Sequence, residues 1–236
     1  MRVMRILAPV LLLTLGAAAP EERRFMVSGF DRVQVDGPFQ VVIVPKGAPG
    51  VRAEGDRKTL ERVTVRTQGM TLVVRAGLPG AGVRAGGPPE LPRITISAPR
   101  LRAIFVTGGG NVTASALAGP RVEAGVNGSG TLSVSGVDTE ALSATLTGTG
   151  TLTLSGKAVQ ASFNSYGAGS VDASQLLANA LIVRANSRGE GRYAARYTAK
   201  VSALGLGAIR VEGRPKCFLS GSAPISCGTD DNIERR

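Results

Sequence analysis

Three sets of residues in this chain have the types and spacing that chemistry uses: paired glycines, scattered carboxylates and two cysteines. Gly-x-Gly occurs at Gly108/Gly110, Gly128/Gly130, Gly148/Gly150, Gly167/Gly169, Gly189/Gly191 and Gly205/Gly207. Such loops can cradle phosphates, but a Walker loop runs Gly-Lys-Ser/Thr into a helix and a dinucleotide fingerprint needs a third glycine before one. None of the six sites has either context. Carboxylates in pairs would suit glycoside hydrolysis, which needs a general acid and a second carboxyl within several ångströms of each other. Counted from the second glycine of each unit, Glu123 lies at −7, Asp138 at +8, Asp172 at +3, Glu190 at −1, Glu212 at +5 and Glu140 at −10. No two share a column. Glu54, Asp56 and Glu61 precede the units and read as solvated charges.

Other chemistries have less support. The chain has no histidine, so no Ser-His-Asp or Cys-His arrangement can form, and it has no Gly-x-Ser-x-Gly elbow. Calcium-binding solenoids repeat an aspartate on every short turn, whereas only Asp172 follows a glycine pair at that offset. "TDDNIE" (229–234) lacks the glycine and spacing of a calcium loop. No metal or cofactor is implied.

The first residues set the compartment. "MRVMRILAPVLLLTLGAAAP" has Arg2 and Arg5, an apolar stretch from Ile6 to Leu15, and small residues at Ala17 to Ala19. That is a secretory leader over residues 1–19, too short to span a bilayer. No cysteine follows it for lipidation, and no later run is long enough to be a transmembrane anchor. The expected location is periplasmic or secreted. In that oxidising setting Cys217 and Cys227 are expected to form a disulfide, contributing roughly 2–3 kcal/mol by closing a short loop. Half of a metal site is the weaker reading, because another soft ligand is missing. Losing Arg2 and Arg5 with the leader takes the formal charge from +11 to +9. A basic exported protein can favour a cell-surface glycan or another anionic envelope polymer. Nucleic acid is excluded as a partner by the lack of stacking platforms: Trp is absent, with six Phe and three Tyr.

The elements that carry these residues follow from the glycines themselves. The second glycines are 20, 20, 19, 22 and 16 residues apart. Two residues after each come Val112, Leu132, Leu152, Val171, Tyr193 and Ile209; four after come Ala114, Val134, Leu154, Ala173, Ala195 and Val211. Six before stand Ile104, Ala124, Ala144, Phe163, Ala185 and Val201. The residue between the first two columns is polar in most units, which is the alternation of a half-buried strand. A twenty-residue unit cannot bury its own apolar face, so copies must stack. The expected fold is all-β, a single-stranded parallel β-solenoid of about six rungs, with glycine at the corners. "TLTGTGTLTLSG" (145–156) is one such rung.

Residues 25–100 lack the period and are expected to form an irregular β segment that caps the first edge, with a hairpin through Gln68-Gly69. The rungs occupy 101–215 and a disulfide cap 216–228, which with the first segment make one domain over 25–228, followed by a flexible polar tail at 229–236. The order of "FDRVQVDGPFQVVIVPKG", "VRAEGDRKTLERVTVRTQGMTLVV" and "ITISAPRLRAIFVTGGGNV", followed by Gly-x-Gly rungs, resembles the head GIN domain family over residues 28–214. Its members are exported bacterial proteins labelled auto-transporter adhesins. The resemblance implies a β-solenoid in or outside the cell envelope and carries no catalytic motif.

One outward column pair stands out: Asn111/Thr113, Thr131/Ser133, Thr151/Thr153 and Ser170/Asp172. It forms a candidate polar binding strip, with basic residues toward both ends. Short polar residues also suit any solvated strand, and an ice-binding face would need Thr-x-Thr on successive rungs, which one rung has. The expected function is a non-enzymatic binding, adhesion-like or structural module of the cell envelope. The alternative is a carbohydrate-active enzyme, a polysaccharide hydrolase or lyase on a β-helix scaffold.

Overall fold

Wherever apolar and polar residues alternate, the chain is extended, and each strand hydrogen-bonds the strand of the next rung. The computed structural model describes residues 21–77, 91–228 and 233–235. The expected leader at 1–19 lies outside them, as do 78–90 of the Gly/Pro-rich loop and 229–232 of the tail. The first strands are β1 (Glu21–Phe25), β2 (Arg32–Asp36), β3 (Gln40–Val44) and β4 (Gly50–Gly55). A one-turn helix α1 (Arg57–Glu61) precedes β5 (Val63–Gln68), β6 (Thr71–Ala76) and β7 (Arg93–Ser97). The rungs proper use β8 (Ala103–Gly108), β9 (Asn111–Ala114), β10 (Leu117–Gly128), β11 (Thr131–Gly148), β12 (Thr151–Gly167), β13 (Ser170–Ser187) and β14 (Gly191–Leu204). β15 (Ile209–Gly213), β16 (Lys216–Ser220), β17 (Ile225–Cys227) and β18 (Ile233–Arg235) finish the stack.

The parallel β-solenoid read from the sequence is the fold, with about six turns. Two walls build it. Wall A holds the residues after each glycine corner, in the order β7, β3, β9, then the first residues of β11, β12, β13 and β14, then β15 and β17. Wall B holds the residues before each corner: β6, β2, β8, β10, the last parts of β11 to β14, then β16 and β18. Inward from wall A point Val112, Leu132, Leu152 and Val171, in register on successive rungs and almost wholly buried. From wall B, Ile104, Ala124, Ala144, Phe163, Val183, Val201 and Leu219 form the matching column. Each apolar residue therefore rests on its counterpart one rung away, and no single rung has a core of its own.

The corners explain why glycine recurs. Gly148 has φ +111°, and a Cβ there would lie 2.5 Å from the carbonyl oxygen of Gly128 on the preceding rung. That oxygen accepts hydrogen bonds at 2.9 Å from the N–H groups of Thr149 and Gly150. Any side chain would break the contact.

The fifth corner differs from the one expected. Gly189, not Gly191, stacks on Gly169, with Ser187 in the place of the first glycine. The Ser187 hydroxyl accepts from the Gly189 N–H at 3.0 Å, a local turn that replaces the missing glycine. The stacked glycines are then Gly110, Gly130, Gly150, Gly169, Gly189 and Gly207, spaced 20, 20, 19, 20 and 18 residues apart. Gly191 instead points inward above Val171, Tyr193 stands on Ala173, and Val183 replaces Ala185 beside Phe163. The reason is room: a Cβ on Gly191 would lie 2.7 Å from Cε2 of Tyr193, whose ring occupies that space. The ring meets Phe163 edge-on, with centroids 4.9 Å apart.

The first segment is more regular than expected. β2, Gly37 and β3 make a full level, seated between β6/β7 on one side and β8/β9 on the other. The edge is closed by antiparallel strands: β5 against β6, in the hairpin expected at Gln68-Gly69, and β4 then β1 against β7. At the other end Cys217 and Cys227 are bonded and buried, joining β16 of wall B to β17 of wall A across the interior. Part of the expected flexible tail is a strand, since β18 pairs in parallel with β16 and Glu234 reaches Lys216 at 2.7 Å.

Candidate functional site

The eight residues expected as a polar strip come together on the outer face of wall A. Asn111, Thr131, Thr151 and Ser170 form one ladder, and Thr113, Ser133, Thr153 and Asp172 a second. Neighbouring members lie about 4.8 Å apart, the distance between paired strands. Their order follows from the alternation: Val112, Leu132, Leu152 and Val171 between the ladders turn inward and fix the polar neighbours outward. Gln40 extends the first ladder and Val42, 39% exposed, interrupts the second.

The far end of the second ladder is charged. Asp172 accepts from the hydroxyl of Ser174 at 2.7 Å and from its N–H at 3.1 Å. Those bonds, with the Arg192 guanidinium on the next rung, hold its carboxyl below the usual value. Arg192 stacks in turn under Arg210. The basic residues grouped near the late end by sequence do not form one patch. Arg192 lies on wall A, Arg184 and Lys200 on wall B, and Arg196 packs against Tyr197 at 5.1 Å.

The carboxylates are dispersed and mostly paired with cations. Glu123 meets Arg32 at 3.5 Å, Asp138 meets Lys157 at 3.3 Å, Glu190 meets Arg192 at 3.8 Å and Asp36 meets Arg75 at 2.7 Å. Asp56 caps α1 through the N–H of Thr59, and Glu61 pairs with Arg57. Glu54 stands opposite Glu22 on β1, with Glu22 bound to Arg24 and Arg52. Glu22 and Asp56 are both held below their usual values by hydrogen bonds, from Arg24 and from Thr59. A glycosidase acid needs the opposite displacement. Among the described residues, no three His, Cys, Asp or Glu side chains gather into a metal site.

Wall B carries a feature that the sequence reading missed. Two adjoining depressions, of about 510 Å³ and about 320 Å³, cross its outer face and share Ile182 and Lys200. Their signal was hidden by the fifth corner: only with Val183 in the column of Phe163 do Asn164, Arg184 and Ser202 align as outward neighbours.

Residues 29–215 match the family described as "Putative auto-transporter adhesin, head GIN domain". The chain belongs to that family. Solved structures share the head GIN fold from end to end. A "putative adhesin" from Bacteroides fragilis superposes with a TM-score of 0.78 at 21% identity, covering 93% of this chain and 98% of its own. A "putative lipid binding protein" from Parabacteroides distasonis gives 0.66 at 20% identity, covering 94% and 98%. A "putative adhesin" from Parabacteroides merdae gives 0.64 at 17% identity, again covering 94% and 98%. At such identities the likeness is one of fold. No curated protein matches the sequence. Among the described residues, no helix is long and apolar enough to cross a membrane.

Proposed function

We propose that this head GIN domain is an exported, non-enzymatic binding module of the cell envelope, of the adhesion type that its family description names. It works passively, by holding a fixed array of side chains against a partner. The observation that carries this reading is the pair of unbroken ladders on wall A, Asn111 to Ser170 and Thr113 to Asp172, held at rung spacing by a rigid core. Short hydroxyl and amide side chains on a strand lose little rotamer freedom when they bind, which suits an ordered, hydroxyl-rich surface such as a cell-surface glycan. The leader expected at 1–19 and the buried disulfide support export to the periplasm or beyond.

The test is binding of the purified protein to isolated cell-wall polymers and to whole cells at low salt. Retention that falls when Thr131, Thr151 and Thr153 are changed to Val and Ser133 to Ala is the expected result. No interaction above background would leave the domain a structural role alone.

A further inference from the structure

The two depressions on wall B form one trough. It runs from Ala141 on β11 across β12, β13 and β14 to Phe218 on β16. These strands are consecutive levels of the wall. Five levels are separated by four spacings of about 4.8 Å, so the trough is about 19 Å long and parallel to the solenoid axis.

Its chemistry is graded. The first half presents small and neutral hydrogen-bonding groups: Gln160, Ser162 and Thr198 beside Ala141 and Ala180. The second half adds two cations, Arg184 and Lys200, with Ile182 and Phe218 between and beyond them. Among the described residues, no carboxylate lines either depression. Phe218 is held in place rather than free: the ammonium groups of Lys216 and Lys200 lie 5.2 and 6.0 Å from its ring centroid, and Lys216 is anchored by Glu234 at 2.7 Å. Lys200 and Arg184 have no ion-pair partner among the described residues, although Asp138, Glu123, Glu190 and Glu234 all pair elsewhere.

We propose that this trough binds an anionic polysaccharide chain lying along the solenoid axis. Arg184 and Lys200 meet its acid groups, Phe218 receives the apolar face of a sugar ring, and Gln160, Ser162, Thr198 and Ser202 meet its hydroxyls. Elongation is one reason for a polymer, since a pyranose unit is about as long as one rung and the trough spans five. The alternation of apolar and polar groups is the other: ligand sites pair apolar contact with a few placed polar groups, and a pyranose presents both. A lipid acyl chain would need a continuous apolar cavity, which the hydroxyls and amides of this trough interrupt. The proposal adds a second surface to the reading of wall A, and the two fail separately.

The test is calorimetric titration of the intact protein with oligogalacturonate and with dextran sulfate, using cello-oligosaccharide and unmodified dextran as neutral counterparts. At least one acidic probe is expected to bind at least tenfold tighter than its neutral counterpart, and which one binds separates carboxylate from ester-linked charge. Arg184→Gln with Lys200→Gln should weaken it at least tenfold, and Phe218→Leu, which keeps an apolar residue, at least threefold. Arg192→Gln with Arg210→Gln removes the same charge from wall A and should change affinity less than threefold. Equal losses in the two double variants would overturn the proposal in favour of diffuse charge attraction. So would absence of acidic preference, or binding to phosphatidylglycerol vesicles that competes with both acidic probes. Failure here would leave whole-cell binding through wall A untouched.

Discussion

Replacing Tyr193 by phenylalanine should make the protein more stable, although Tyr193 is among its most buried residues. It is 1% exposed and its hydroxyl has no hydrogen-bond partner among the described residues. Burial pushes the phenol far above its usual value of 10.0. An unpaired buried hydroxyl costs about 1–3 kcal/mol, and Tyr193→Phe removes that oxygen while keeping the ring and its edge-on contact with Phe163. We expect a gain of about 1 kcal/mol, at the low end because neighbouring groups relax, which is about 2–4 °C in Tm for a chain of this size. Thermal unfolding followed by circular dichroism reads it directly. A companion variant calibrates the packing: Gly191→Ala puts a methyl 2.7 Å from the ring and should cost about 1–3 kcal/mol by overpacking. The two residues touch, so a double-mutant cycle with Tyr193→Ala should show the alanine at 191 becoming tolerable once the ring is gone. If Tyr193→Phe instead lost 1 kcal/mol or more, the hydroxyl would have a partner, and the interior at this level would be wet.

Three further outcomes follow from features of the stack. Cys217→Ala with Cys227→Ala releases a ten-residue separation and should cost about 3 kcal/mol on the chain-entropy estimate, with proteolysis beginning in β16 to β18. Asp172 is held below its usual value of 3.8, chiefly by Ser174, so its contribution is complete above that pH and lost as pH falls through the folded-state value; Asp172→Asn should flatten the fall of Tm between neutral pH and strong acid. Asp31 is 7% exposed and bonded by Nε of Arg102 at 2.8 Å, so Arg102→Ala strands that carboxylate and should cost about 1–3 kcal/mol, measured by denaturant unfolding.

How much of this was legible in the sequence depended on where backbone meets backbone. At Gly148 a side chain is forbidden by the neighbouring carbonyl, so the period survives in the letters. Leu132, Leu152 and Val171 were legible as a column for a related reason, since they point inward at a fixed offset from that corner. The fifth corner misled because Gly191 is a glycine of another kind, one that leaves space for a ring rather than for a carbonyl. Counting from it displaced Tyr193, Val183 and the outward residues between, and so concealed the trough at Arg184 and Lys200. The level of β2 and β3 was obscured because it turns at Gly37-Pro38 without a glycine pair and pairs with strands made later. The helix α1 had one readable sign, Asp56 three residues before Thr59 with Leu60 buried beneath, but five residues give no period to detect. The alignment of the polar residues on wall A was legible because alternation alone sets it.

The level of β2 and β3 also constrains how the molecule comes into being. Residues 32–44 are clasped by 71–97 on one side and by 103–114 on the other. A nascent chain delivered N-terminus first therefore cannot lay its courses in order of arrival: the earliest must wait, half-clothed, until two later ones close over it. From residue 103 onward each new course finds its bed already prepared. Assembly thus has a slow, interlocked foundation and a quick superstructure, and trimming the two termini should have unequal results. Shortening from the C-terminus unroofs the column one course at a time, whereas deletion through residue 44 takes out an internal storey and parts the base from everything built upon it.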